Sequence, residues 1–226
     1  MTLGKVGIVV AARTSSTRLP GKALLPLHGL PMAVFLLRRL RGVKGGKVIV
    51  ATTDLPADDR LADAIRAEGV PVFRGADADV VARYVGAARQ FGFDAIARVT
   101  ADCPLLDAEL VDGCIDQAAE FGGFDLATTK GKFPVGLDVE IFRAELMTAL
   151  DAGNRLTEQE REHLTLHLYN RRDEFRIRSI TPPKEWAQTS RHFTIDTPAD
   201  YENAKALVAR IGRADFPIPM LLEVAR

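Results

Sequence analysis

Apolar runs and amphipathic stretches alternate along most of this chain. Val6–Ala12 is a continuous apolar run that reads as a buried strand. Pro31 then opens a helix with Val34, Leu36, Leu37 and Leu40 on its apolar side. Lys47–Thr52 reads as a strand, and Asp58 as the cap of a helix through Glu68. Val70–Phe73 is a short strand. Asp77 or Asp79 caps a helix whose stripe is Val80, Val81, Tyr84, Val85 and Ala88. Asp94–Thr100 is another buried strand, and Asp107 caps a helix to about Phe121. Repeated β–α alternation predicts an α/β fold, a mostly parallel sheet with helices on both faces.

After Gly122 the rhythm changes. Asp125–Thr129 and Leu137–Phe142 read as strands joined by the Gly/Pro-containing stretch Lys130–Gly136, which predicts a small antiparallel excursion. Thr157-x-x-Glu160 is a capping box opening a helix to about Asn170. Phe175–Ile180 and Arg191–Ile195 read as late strands. Thr197, Pro198 and Asp200 open a last helix. No repeat or linker interrupts the chain, so residues 1–226 are expected to form a single domain.

Composition narrows the class. The hydrophobic share is 47%, and 30 Lys+Arg balance 30 Asp+Glu, so no basic excess points to nucleic acid. Two cysteines, Cys103 and Cys114, are too few for a disulfide framework. No targeting signal and no membrane-length apolar run is visible, so a cytoplasmic protein is expected.

The candidate chemistry gathers where strands end. The loop after the first strand carries Arg13, Arg18 and Lys22 with four hydroxyl side chains, Thr14 to Thr17. Ligands of open α/β sheets bind outside the carboxyl ends of the strands, and this set suits a nucleoside triphosphate. The loop is neither a Walker A nor a G-x-G-x-x-G cradle: Gly21-Lys22 is followed by Ala23. A second strand end supplies Thr100-Ala101-Asp102. Asp107 is explained as a helix cap, which leaves Asp102 as the better Mg²⁺ ligand, although an Asx turn would also account for it. A third supplies Asp196. Spacing alone does not say whether Asp102 and Asp196 meet.

Weaker signals have ordinary explanations beside chemical ones. Asp138 and Glu140 alternate on one strand face and could bind acceptor hydroxyls or a second metal, or simply face solvent. His163 and His167 lie four apart in EHLTLH, but the zincin pattern is absent. Arg74 and Arg83 flank an Asp-rich turn where ion pairs explain them as well as nucleotide contact does. Trp186 is expected in a surface loop or at an interface.

Seven blocks, in order, carry a family likeness: RTSSTRLPGKALLPLHGLPM, VIVATTD, VPVFRGADADVVARY, TADCPLLD, GLDVEIF, EREHL and FTIDTPADY. They resemble the cytidylyltransferases of surface-sugar biosynthesis, most closely the SpsF-like spore-coat polysaccharide group. The enzymes that make CMP-sialic acid and CMP-KDO are more distant. The resemblance implies a Rossmann-like nucleotidyltransferase fold, usually a homodimer, and a Mg²⁺-dependent transfer of CMP from CTP to an acidic or modified sugar or sugar phosphate, with release of pyrophosphate. It implies that Arg13, Arg18 and Lys22 bind the triphosphate and act in catalysis with Asp102, and that Asp102 and Asp196 hold Mg²⁺. Ala11, Ala12, Arg74, Gly75 and Thr100 would surround the nucleotide. Asp138, Glu140, Glu162 and His163 would face the acceptor, with residues 123–170 serving acceptor binding and dimerisation. Where many SpsF-like sequences read Gln-Ala-Arg-Met-Gly-Ser, this chain reads Ala11-Ala12-Arg13-Thr14-Ser15-Ser16, so the base remains open. Two other readings remain: a nucleotide-sugar-dependent glycosyltransferase, for which Asp77-Ala78-Asp79 has the letters of a metal motif, and a nucleotide-binding subunit without catalysis.

Overall fold

The computed structural model describes residues 2–153, 155–186 and 191–225. The strands are β1 (Val6–Ala11), β2 (Pro26–Leu27), β3 (Leu30–Pro31), β4 (Lys47–Thr53), β5 (Val72–Gly75), β6 (Ala95–Thr100), β7 (Leu126–Thr128), β8 (Glu140–Arg143) and β9 (Ile177–Ser179). The helices are α1 (Met32–Arg39), α2 (Asp59–Ala67), α3 (Val80–Phe91), α4 (Ala108–Glu120), α5 (Ala144–Ala152), α6 (Glu158–Glu162), α7 (Leu166–Asn170), α8 (Pro198–Ile211) and α9 (Ile218–Val224).

Seven strands form one sheet in the order β5-β4-β1-β6-β8-β7-β9. Only the pairings of β8, with β6 and with β7, are antiparallel, which is the predicted excursion. The small β2–β3 hairpin lies apart from it. Strand β1 shows why the sheet is buried on both sides. Its Ile8 and Val10 join one apolar core with Leu36 of α1, Leu61 of α2, Val111 of α4 and Val208 of α8. Its Val9 points the other way, into a core with Val81 and Tyr84 of α3, Met147 of α5 and Leu168 of α7. A period of two with both parities apolar is what a doubly covered parallel strand requires.

The chain leaves β1 for β4 and β5 on one side, then crosses to β6 on the other. The carboxyl ends of β1 and β6 therefore lie at the reversal of strand order, where open α/β sheets form their crevice. In register there, Ala11 faces Thr100.

Several expectations need correction. The helix predicted from Thr157 to Asn170 is broken: the capping box forms, but α6 ends at His163, whose φ of −105° and ψ of 80° leave the helical region. Thr165 then starts α7. His163 and His167 are thus not on one helical face. Arg191–Ile195 is no strand; its backbone N–H groups bond loops instead, Phe193 to the Val135 carbonyl and Ile195 to that of Asp102. Asp58 makes no side-chain cap, because its carboxylate is taken by Thr14, Thr52 and Thr53. The stretch after Lys130 is followed by a helix the pattern did not show, α5, and the chain continues past α8 into α9.

Candidate functional site

A cavity of about 450 Å³ opens at the β1–β6 crevice. Local geometry builds its floor from the chain outward. Apolar packing ends β1 at Ala11, and residues 13–22 then fold back as a loop. Thr14 pins it to the end of β4, donating to Asp58 from its backbone N–H (2.8 Å) and its hydroxyl (2.5 Å). Burial pushes the Asp58 carboxyl up, but hydrogen bonds from Thr14 and Thr53 hold it below its ordinary value, so it stays an acceptor. The loop closes through Gly21, whose N–H donates to the Thr14 carbonyl at 3.0 Å. Its φ of +70° is a left-handed conformation that glycine adopts without strain. Lys22 follows at the start of a short 3₁₀ turn and points back to the crevice.

The Lys22 ammonium is the centre of the site. Its Nζ lies 3.1 Å from Asp102 and 2.9 Å from Asp196, and donates to the Ile195 carbonyl at 3.2 Å. Burial would lower its pKa, yet the two carboxylates outweigh that and hold it above the ordinary lysine value. Asp102 shows the converse: burial pushes it up, but Lys22 and a hydrogen bond from Thr100 bring it below the ordinary carboxylate value. Spacing in the sequence left open whether Asp102 and Asp196 meet. The Ile195 N–H donates to the Asp102 carbonyl at 2.8 Å, so the backbone itself sets the two residues side by side. The capping box of α8 completes the hold, with Asp200 accepting from the Asp196 and Thr197 N–H groups.

Further charge surrounds this pair. Arg18 lies 3.1 Å from Asp196, and Arg13 is 3.1 Å from Asp77 and 3.6 Å from Glu162. Arg39 fixes the wall behind Asp102: its guanidinium donates to the carbonyls of Leu105, Leu106 and Ala214 and stacks 3.8 Å over Phe216. Two carboxylate oxygens converging on one cation, beside basic side chains, are a donor set that fits Mg²⁺ on a polyphosphate, which needs one or two carboxylates plus phosphate oxygens.

Ala11, Ala12, Arg13, Arg18, Lys22, Thr100, Asp102, Glu162, His163 and Asp196 all border the cavity. Arg74 and Gly75 do not. All three Arg74 side-chain nitrogens are engaged near the end of β4, with the Thr53 and Leu55 carbonyls and Asp59. Gly75 is packed on the Phe73 ring. Asp138 accepts from the Gly136 N–H at 2.8 Å and also stays off the lining. Glu140 is 2% exposed and fully engaged: it accepts from Arg98, from the Thr165 hydroxyl at 3.1 Å and from the Tyr169 hydroxyl at 2.8 Å, with Lys130 at 3.2 Å. Glu140 thus touches the cavity only through Arg98.

Arg98 borders the cavity and was missed in the sequence. The signal was there: a lone arginine in the otherwise apolar strand AIARVT. Trp186 packs edge-on to Phe133 at 5.9 Å; residues 187–190 beside it lie outside the described residues.

The sequence profile of the Cytidylyltransferase family matches residues 7–216. This chain belongs to that family. Among curated relatives, the spore coat polysaccharide biosynthesis protein SpsF of Bacillus subtilis is 32% identical over 213 residues, covering 90% of this chain and 86% of its own. A solved cytidylyltransferase from Leptospira borgpetersenii superposes with a TM-score of 0.91 at 35% identity, over 98% of this chain and 93% of that one. The fold is shared more distantly with a CMP:2-keto-3-deoxy-manno-octonic acid synthetase complexed with CTP, at TM-score 0.71, 21% identity and coverage of 92% and 99%. The chain is therefore a nucleotidyltransferase with a Rossmann-like core. Among the described residues no helix is long and apolar enough to cross a membrane.

Proposed function

We propose that this cytidylyltransferase transfers CMP from CTP to an acidic or modified sugar, or a sugar phosphate, and releases pyrophosphate, in surface polysaccharide biosynthesis. The observation that carries the reading is the convergence of Asp102 and Asp196 on Lys22 in a cavity also lined by Arg13 and Arg18. The synthetase solved with CTP shares the fold, and SpsF acts in polysaccharide biosynthesis, which supports the substrate class.

In this reading Arg13, Arg18 and Lys22 take the triphosphate. Each is held in the free protein by a carboxylate, so the incoming phosphates exchange for groups already in place, and little reorganisation is needed. Asp102 and Asp196 would hold Mg²⁺, which would supply positive charge to offset the charge developing on the leaving pyrophosphate. An acceptor oxygen bonds to the α-phosphorus in line as the bond from that phosphorus to the α–β bridging oxygen breaks, and the cations stabilise the charge that leaves with the pyrophosphate. Glu162 and His163 would position the acceptor, a role supported by their bordering the same cavity. No general base is assigned; an acceptor already anionic needs none. A homodimer, with residues 123–170 contributing to its interface, belongs to the same proposal.

The glycosyltransferase alternative loses its motif. Asp79 caps α3 by accepting from the Ala82 N–H, and neither Asp77 nor Asp79 borders the cavity that Asp102 and Asp196 line. The test is release of pyrophosphate from CTP and Mg²⁺ by the pure protein. The acceptor panel holds nonulosonic acids, KDO-like acids, sugar phosphates and polyol phosphates. Release with one acceptor class supports the function. Hydrolysis of UDP- or GDP-sugars with CTP inert would replace it.

A further inference from the structure

Five Lys and Arg side chains border the cavity: Arg13, Arg18, Lys22, Arg83 and Arg98. Four of them are ion-paired in the free protein, to Asp77 and Glu162, Asp196, Asp102 and Asp196, and Glu140 respectively. Arg83 has no carboxylate partner among the described residues, although only 3% of it is exposed. Its Nη1 donates to the Ala76 carbonyl at 2.7 Å and more weakly to that of Asp77 at 3.4 Å. Its Nε is buried without any hydrogen-bond partner. Nε and Nη2 form the edge with two parallel N–H groups, the fork that takes a phosphate side-on, and among the described residues Nε has no acceptor.

A buried guanidinium with no carboxylate in direct contact is costly in a free protein, even with Asp77 and Asp58 nearby. A structural tie to two carbonyls does not require it, because a neutral donor would serve the same purpose. The cost is relieved when an anion arrives. Location indicates which anion. Arg83 and Arg13 both reach Asp77, one at its backbone carbonyl and the other at its carboxylate. Arg83 therefore stands on the same wall as the first cation of the triphosphate loop.

We propose that Arg83 is a phosphate-binding residue of the nucleotide site, its Nε–Nη2 edge receiving oxygens of the bound nucleotide's phosphate chain. The inference rests on the nucleotide reading above and adds to it a residue outside the Arg13–Lys22 loop. Unlike the other four, Arg83 gives up no carboxylate when phosphate binds, so its full attraction appears in the affinity.

The test is calorimetric titration of CTP with Mg²⁺ into the full chain as wild type, Arg83→Met and Arg83→Lys. All are measured below the melting temperature of each. The expected result is at least tenfold weaker binding in Arg83→Met, with Arg83→Lys at least threefold tighter than Arg83→Met because it restores the charge. Loss of affinity below tenfold in Arg83→Met overturns the proposal. So does an Arg83→Lys variant no tighter than Arg83→Met, which would mean that packing rather than charge matters. Should Arg83→Met fail to fold, Arg83→Gln, which keeps an N–H donor for the Ala76 carbonyl, takes its place with the same thresholds. A wild-type protein that binds no nucleoside triphosphate overturns the function itself, and this inference with it.

Discussion

Glu140→Gln isolates one charge at constant size. The carboxylate sits 2% exposed among four donors, those of Arg98, Lys130, Thr165 and Tyr169. Burial pushes its pKa up, but the charges of Arg98 and Lys130 hold it below the ordinary glutamate value, so it is ionised at neutral pH. The amide would take away the carboxylate paired with Arg98, leaving only the more distant Asp102 charge, and turn one acceptor into a donor facing donors. Removing one partner of a buried pair costs about 3–5 kcal/mol. Lys130 is 47% exposed and adds little, because solvent takes over its charge. The lower end of the range, about 3 kcal/mol, applies; at roughly 2–4 °C per kcal/mol for a chain of this size, the melting temperature falls by about 6–12 °C. Scanning calorimetry at pH 7 measures it. The sign with pH is fixed by the lowered pKa. The ion pair stabilises above the unfolded carboxyl's pKa and fades as pH falls through the folded one, so the gap between wild type and variant closes in acid. Arg98→Met added to Glu140→Gln should recover part of the loss, since the stranded charge is gone. A fall below about 2 °C in the single variant would refute the structural role. A raised acceptor KM at unchanged melting temperature would instead return Glu140 to the acceptor site.

Other perturbations follow from the same geometry. Gly136→Ala at φ +92° would set a Cβ 2.3 Å from the Thr194 nitrogen and 2.4 Å from the Phe193 carbonyl carbon; a loss of more than about 2 kcal/mol in a denaturant melt is expected, with reduced turnover because that segment delivers Asp196. Glu160 is pushed up by burial, but Arg171 and the Thr157 N–H bring it down to about 2 from 4.5, so it stabilises above about pH 4.5 and stops doing so as pH falls through about 2. Glu160→Gln should flatten the acid limb of stability against pH; an unchanged limb counts against the pairing. Lys22→Met leaves Asp102 and Asp196 facing each other, and Mg²⁺ alone should raise the melting temperature of this variant more than that of wild type; equal shifts would contradict the convergence of the two carboxylates.

Much of this architecture was legible because parallel strands covered on both faces write long apolar runs, as in Val6–Ala11 and Ala95–Thr100. Caps were legible where a short polar side chain precedes an amphipathic run, as at Asp79, Asp107, Thr157 and Thr197. Asp58 broke that rule because three threonine hydroxyls compete for its carboxylate, a contact between residues up to 44 apart. The break at His163 was hidden because Leu164 and Leu168 keep helical spacing while belonging to two different turns of chain. The segment before Asp196 has a strand's composition, but its Phe193 and Ile195 N–H groups bond the carbonyls of Val135 and Asp102 rather than a strand among the described residues. At the site, the loop cations and Asp102 stood out locally. Arg98 did not, since its meaning depends on which charges lie across the cavity, and for Arg83 the sequence left ion pairing and nucleotide contact equally open.

The most direct measurement is the thermal shift of the wild type and Asp102→Ala with CTP, with and without Mg²⁺. A ligand at a hundred times its Kd stabilises by about 2.7 kcal/mol, or roughly 5–11 °C here. The predicted result is a shift of that size with CTP and Mg²⁺ together, with its Mg²⁺-dependent part lost in Asp102→Ala. No shift with CTP under either condition, or the same Mg²⁺-dependent shift in Asp102→Ala, would contradict a metal–triphosphate site built on Asp102 and Asp196.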